Sequence, residues 1–200
     1  MRLRQVPAML VNIIHTALVA CEDVRFHAGT ACPFCGGRLS GYDERRKRFA
    51  VLVEDENRVV VNVVVCRSYC RVCERIIDPP QPFYPGTRIG APVVDLCRTL
   101  SSNIPFTRAS VYLERMGVIV DRWSVRHYSG LALPVIPSVD VFGMKIPVSI
   151  ISLSTFAGTS AEPASLDMEE ILMVCNIARS PPPAGFPARD GERKDPARRP

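Results

Sequence analysis

An α+β fold is predicted by three observations. Two C-x-x-C pairs, Cys32/Cys35 and Cys70/Cys73, bracket valine-rich strand-like runs. Short stretches with helical apolar spacing follow between residues 91 and 133. From residue 180 onward the chain is dominated by proline and charge. Hydrophobic residues make up 47% of the 200 residues and charged ones 22%, a balance that supports a folded core. That length allows one ordinary domain or two small ones.

Residues 1–29 form the first expected element, an N-terminal amphipathic segment. The stretch M-R-L-R-Q-V-P-A-M-L-V-N-I-I-H-T-A-L-V-A-C has a basic start and an apolar run, and Leu18-Val19-Ala20-Cys21 resembles a bacterial lipobox. However, Asn12 and His15 interrupt the apolar run and Pro7 precedes it. Cleavage before Cys21 would also carry the C-x-x-C pairs into an oxidising space, where thiolate metal sites are hard to keep. The expectation is therefore a folded element of a cytoplasmic protein with reduced thiols. No run reaches the ~18 apolar residues of a membrane-spanning helix, so no membrane partner is expected.

Residues 30–79 carry the sharpest signal. Between the pairs lies R-F-A-V-L-V-E-D-E-N-R-V-V-V-N-V-V-V, two runs around Asp55-Glu56-Asn57, which is a β-hairpin pattern. Each C-x-x-C turns the chain so that two sulfurs face one point, and Gly36-Gly37 permits the tight backbone after the first. Four thiolates at about 2.3 Å around Zn²⁺ make a closed tetrahedron with no position left for a substrate. One structural zinc on Cys32, Cys35, Cys70 and Cys73 is the expected cofactor, giving a zinc ribbon whose folding energy comes from the metal. A redox C-x-x-C is disfavoured, since two pairs are present and neither opens a βαβ unit. Cys66 is the extra cysteine in C-R-S-Y-C-R-V-C. It sits at the expected end of the second strand, about 13 Å from Cys70 in extended chain at ~3.3 Å per residue, and is assigned to strand packing.

Residues 80–90 are expected to be a linker, with Pro92 able to occupy a first helical position. In residues 91–133, Val93, Leu96, Cys97 and Leu100 fall at i, i+3, i+4 and i+7, one apolar face that makes Cys97 a core thiol. Thr107 is the expected cap of a second helix with Ala109, Tyr112, Leu113 and Met116 inside and Gly117 at its end. Asp121 is the expected cap of a third helix, R-W-S-V-R-H-Y-S-G. Two short helices joined by a glycine-containing turn, with a supporting helix before them, read as a helix-turn-helix unit. On the last helix Val125 and Tyr128 face inward, leaving Arg122, Trp123, Arg126 and His127 as candidate contacts to double-stranded DNA. A lone tryptophan such as Trp123 in a small helical unit is more often a core or flank anchor than a base contact, and a purely structural three-helix core is the alternative to DNA binding. The net charge of +5 comes from 22 arginines against three lysines, which suits phosphate and guanine but also follows from genomic base composition.

The order of ribbon, F-Y-P-G-T-R-I-G-A-P linker and Y-L-E-R-M-G-V-I-V-D-R-W-S-V-R-H-Y-S resembles the N-terminal region of bacterial and archaeal transposases, and small archaeal zinc-ribbon/helix-turn-helix proteins. The resemblance covers about residues 30–130 and rests on architecture and spacing. It implies zinc on the four cysteines and DNA contacts from Arg122 to Ser129. A transposase also needs three carboxylates holding two metal ions. After the helical unit Asp140, Glu162, Asp167, Glu169 and Glu170 precede the last dozen residues, and no nuclease site is read there.

Residues 134–179 combine an apolar, proline-interrupted segment with a C-terminal helix. The segment suits packing on the helical unit or a homodimer contact, and strand and helix are not separable in 134–156. Asp167 and Glu170 form a capping-box pattern ahead of a buried stripe of Met168, Ile171, Leu172 and Cys175. Residues 180–200 are expected to be a disordered tail. His15, His27 and His127 are isolated, and no nucleophile–base pair or phosphate-binding glycine loop is present. The expected function is non-enzymatic DNA binding. The alternatives are a zinc-stabilised protein-interaction module and a truncated transposase without its nuclease domain.

Overall fold

The computed structural model describes residues 5–55, 57–159 and 166–175; the expected tail, 180–200, lies outside them. The architecture is α+β. Helix α1 (Ala8–Val19) leads into β1 (Arg25–His27), then a long hairpin of β2 (Leu39–Glu54) and β3 (Asn57–Cys70), and β4 (Arg75–Ile77). Three helices follow: α2 (Ala91–Ser101), α3 (Phe106–Arg115) and α4 (Arg122–Ser129). The region left open in the sequence, 134–156, contains a second hairpin, β5 (Ser138–Val141) and β6 (Met144–Pro147), and the start of α5 (Val148–Thr159). Helix α6 (Met168–Val174) is the last described element. Among the described residues no helix is long and apolar enough to cross a membrane.

In the main sheet, β3 pairs antiparallel with β2 along its length, and its other edge takes β1 in parallel and then β4 antiparallel. Glu54 pairs with Asn57, so the turn falls where Asp55-Glu56-Asn57 places it. Strand β3 continues past Cys66 to Cys70, four residues beyond the expected strand end, because β4 gives Ser68–Cys70 a second ladder. The hairpin has two halves. Residues 39–48 of β2 are mostly exposed, whereas Phe49, Ala50 and Leu52 are buried with Val61 and Val63 of β3. A bulge between Arg48 and Ala50 leaves Phe49 unpaired and lets two successive side chains point inward, which strict alternation forbids.

The main core joins this half of the hairpin to the helices. Helix α1 buries Leu10, Ile14, Ala17 and Leu18, with α5 beside it, while the interrupting Asn12 lies on its outer face. The Cys21 thiol is also buried and donates to Ala17 O at 3.5 Å. A chain cut before Cys21 would lose five core side chains, Leu10, Ile14, Ala17, Leu18 and Ala20. Helix α2 departs from the expected single apolar face. It is central, buried on nearly all sides, with α3, α4, α5 and β6 around it. It begins at Ala91, so Pro92 occupies the second helical position. Helix α3 begins at Phe106 with Pro105 at its N-cap, not at Thr107, because Pro105 already holds the φ that an N-cap requires.

The expected linker is docked. Phe83 meets Phe49 edge-on at 6.2 Å, and Gly90 N donates to Phe49 O at 2.7 Å. A side chain at Gly90 would meet the Phe49 ring at 2.3 Å, so only glycine fits there. The turn between α3 and α4 also bonds to the hairpin edge: Val53 N donates to Gly117 O at 2.9 Å and Ile119 N to Val51 O at 2.8 Å. The long hairpin and the helices are thus hydrogen-bonded to each other.

Candidate functional site

The four cysteines of the two pairs converge. All four sulfurs lie within 4.8 Å of one another, with Cys32 Sγ 3.7 Å from Cys73 Sγ and Cys35 Sγ 3.5 Å from Cys70 Sγ. A tetrahedron with metal–sulfur bonds of about 2.3 Å has sulfur–sulfur edges of about 3.8 Å, so the donor set fits one metal ion. The knuckles are built alike. Cys32 N donates to Gly37 O at 2.8 Å and Gly36 N to Cys32 O at 2.9 Å. The residue after each pair is left-handed, Gly36 at φ +72° and Glu74 at φ +54°. A Cβ on Gly37 would meet Val72 of the other knuckle at 2.7 Å, so close approach of the two turns requires glycine.

Electrostatics in the cluster favour a bound cation. The backbone N–H groups of Cys73 and Val72 stabilise the Cys70 thiolate, lowering it to about 6. Cys73 is pushed up to about 12 by burial and by the neighbouring sulfurs. Sulfurs this close cannot all ionise unless a cation offsets their mutual repulsion. Around them lies a small apolar cluster of its own, Cys32, Cys70 and Ile77, separate from the main core. Cys66 is half-buried on β3, opposite His27 and Glu44, and stands outside the sulfur cluster. Cys21, Cys97 and Cys175 are buried in the main core, and burial pushes each thiol well up.

The second candidate surface is α4. Asp121 caps it, its Oδ1 accepting from Trp123 N at 2.9 Å and Ser124 N at 3.0 Å. Val125 and Tyr128 are buried, and Arg122, Trp123, Arg126 and His127 are all exposed. Trp123 is 62% exposed, so it is not a core anchor. The Arg122 guanidinium lies 4.8 Å from its ring centroid. Among the described residues neither Arg122 nor Arg126 has an ion pair. By contrast, much of the basic run on β2 is engaged: Arg45 with Asp43, Arg46 with Glu22 and Asp23, and Lys47 with Gln81.

The structure keeps these two sites apart. The helical turn meets the hairpin near Leu52, whereas the cysteines flank Leu39 and Cys70 at its other end. At ~3.3 Å per residue the separation along the strand is roughly 40 Å.

A buried polar cluster escaped the sequence. Asp95 of α2 is 4% exposed and accepts from Tyr84 Oη at 2.8 Å and Ser149 Oγ at 3.1 Å. Burial raises its carboxyl above the usual range, against those two hydrogen bonds. It borders a cavity of ≈420 Å³ lined also by Phe156, Met173 and Cys175. Ser149 stands in the first turn of α5, so its hydroxyl ties that helix to Asp95 of α2. An acid inside an apolar helical stripe was the only sequence signal for it.

Comparison with protein-family models, curated proteins and solved structures found no match. The class defined by fold and site is therefore the plain one: an α+β protein with a four-cysteine cluster able to hold one metal ion.

Proposed function

We propose that this is a non-enzymatic DNA-binding protein, a regulator or transposase-derived binder, in which a structural Zn²⁺ holds the ribbon and α3–α4 act as a helix-turn-helix. The single observation that supports the reading most is the face of α4: Val125 and Tyr128 anchor it, while two arginines without ion pairs among the described residues point outward beside Trp123 and His127. Arg126 suits bidentate contact to guanine, Arg122 a phosphate, and His127 either. Zinc is the metal of choice because an all-thiolate tetrahedron is a closed structural site. A reducing, cytoplasmic setting keeps those thiolates available. A homodimer on a two-fold-symmetric site completes the proposal, and a palindrome selected from random duplex DNA would reveal it.

A second reading has its own support. The knuckle end exposes Phe34, Val72 and Ile76, a surface suited to a zinc-stabilised protein-interaction module. Gel shifts across a salt series separate the two. The expected result is duplex binding at low salt that weakens in Arg122→Ala/Arg126→Ala. With Arg122 on a phosphate and Arg126 on guanine, the log–log salt slope falls by about 0.9. No duplex binding at low salt, or binding indifferent to the double substitution, overturns the DNA reading.

A further inference from the structure

A groove of ≈380 Å³ runs between the start of α3 and α4, lined by Pro105, Phe106, Thr107, Arg122, Trp123 and Arg126. Its composition is unusual for either of the simpler occupants. Phe106 is 39% and Trp123 62% exposed, so two aromatic rings are held at the surface by elements that do not need them for the core. Beside them stand two guanidinium groups without ion pairs among the described residues. A purely apolar ligand would leave the charges unused, and a simple anion would leave the rings unused. A nucleotide uses both: its base stacks on an aromatic face and its phosphates meet arginine. Within a duplex the faces of a base are covered by its neighbours, so stacking on a protein ring needs a base out of the stack.

We propose that this groove takes an unpaired base of a DNA strand, stacked on Trp123, with a flanking phosphate on Arg122, while Arg126 keeps its guanine in the adjoining duplex. The inference rests on the DNA-binding reading of α4 and narrows its substrate class: duplex with an adjoining single-stranded or distorted nucleotide is preferred to continuous duplex. Trp123 is the sole tryptophan of the chain, so its emission reports on this groove and nothing else.

The test uses the full-length, zinc-loaded protein and three labelled probes: a blunt 20-base-pair duplex, the same duplex with a four-thymidine 3′ overhang, and the same with an abasic overhang. The thymidine overhang is expected to bind about 10-fold more tightly than the other two, as one stacked base provides. It alone should quench Trp123 emission. Trp123→Ala, read by anisotropy of the labelled DNA, should bring the thymidine and abasic overhangs to equal affinity, the ratio between those two probes being the quantity read, and the exposure of Trp123 leaves the fold undisturbed. Equal affinity for thymidine and abasic overhangs, or emission unchanged on binding, overturns the stacking inference and leaves duplex binding standing. Absence of binding to all three probes at low salt overturns both.

Discussion

Replacing Asp121 with alanine removes the cap of α4. Its Oδ1 accepts from Trp123 N at 2.9 Å and Ser124 N at 3.0 Å, and its Oδ2 from Ser124 Oγ at 2.6 Å. The helix has 8 residues, well short of the length at which a helix sustains itself in water. Its cap and its two buried anchors therefore decide whether the outward face stays ordered. Loss of an aspartate cap costs about 1 kcal/mol, and loss of the negative charge beside the helix N-terminus adds about 0.5 kcal/mol. The Ser124 hydroxyl lies near the surface and recovers water, so it adds little. The expected deficit is about 1–2 kcal/mol at pH 7, measured by urea unfolding.

The pH dependence gives a second handle on the same cap. The Ser124 hydroxyl and the Ser124 and Trp123 N–H groups hold the Asp121 carboxyl below its ordinary range. A depressed carboxyl contributes stability that is complete above the unfolded value of about 3.9 and lost as pH falls through the folded value. The gap between wild type and Asp121→Ala should thus be full at pH 7 and close in acid below that depressed value. Metal leaves both proteins in acid, so the gap at each pH is the quantity to read. Asp121→Asn keeps the acceptor and should fall between them. A gap under 0.3 kcal/mol at pH 7, or one that persists unchanged in strong acid, refutes the cap's assigned role.

Two further outcomes follow from the separation of the cores and from the docked linker. Chelation should expose the sulfur-lined end of the hairpin while the main core stands, since that core contains none of the four ligands. Deuterium exchange should then rise around Cys32–Leu39 and Cys70–Ile77 but not in α1, α2 or α5. In parallel, a thiol reagent should gain Cys32, Cys35, Cys70 and Cys73 and still miss Cys21, Cys97 and Cys175. Substitution of Cys32 or Cys73 by serine should abolish metal binding, and Cys66→Ser should retain it. Global unfolding on chelation would mean that the two cores are one. Gly90→Ala should cost about 1–3 kcal/mol through its collision with the Phe49 ring; an unchanged urea midpoint would show that ring to be free to move.

Much of the site could be read from the chain because its determinants are local. C-x-x-C pairs, the turn at Asp55, the Asp121 cap, the Val125/Tyr128 anchors and the Asp167/Glu170 capping box each depend on residues within a few positions of one another. The failures share the opposite property. Strand β3 outran Cys66 because β4 lies against it, α2 lost its solvent face because α3, α4, α5 and β6 surround it, and Phe49 turned inward at a bulge that no alternation pattern encodes.

By itself, then, the sequence determined which thiols pair in each C-x-x-C, that Asp121 caps α4 and that Val125 and Tyr128 anchor it, since thiol spacing and helix-end chemistry act over single turns of chain. Only the tertiary structure decided that the hairpin's inner half belongs to the helical core, that Asp95 is buried beneath Tyr84 and Ser149, and that Trp123 stands in an open groove with Phe106 and two arginines. These facts come from surfaces distant in sequence meeting to leave water, and burial of that kind has no period to read.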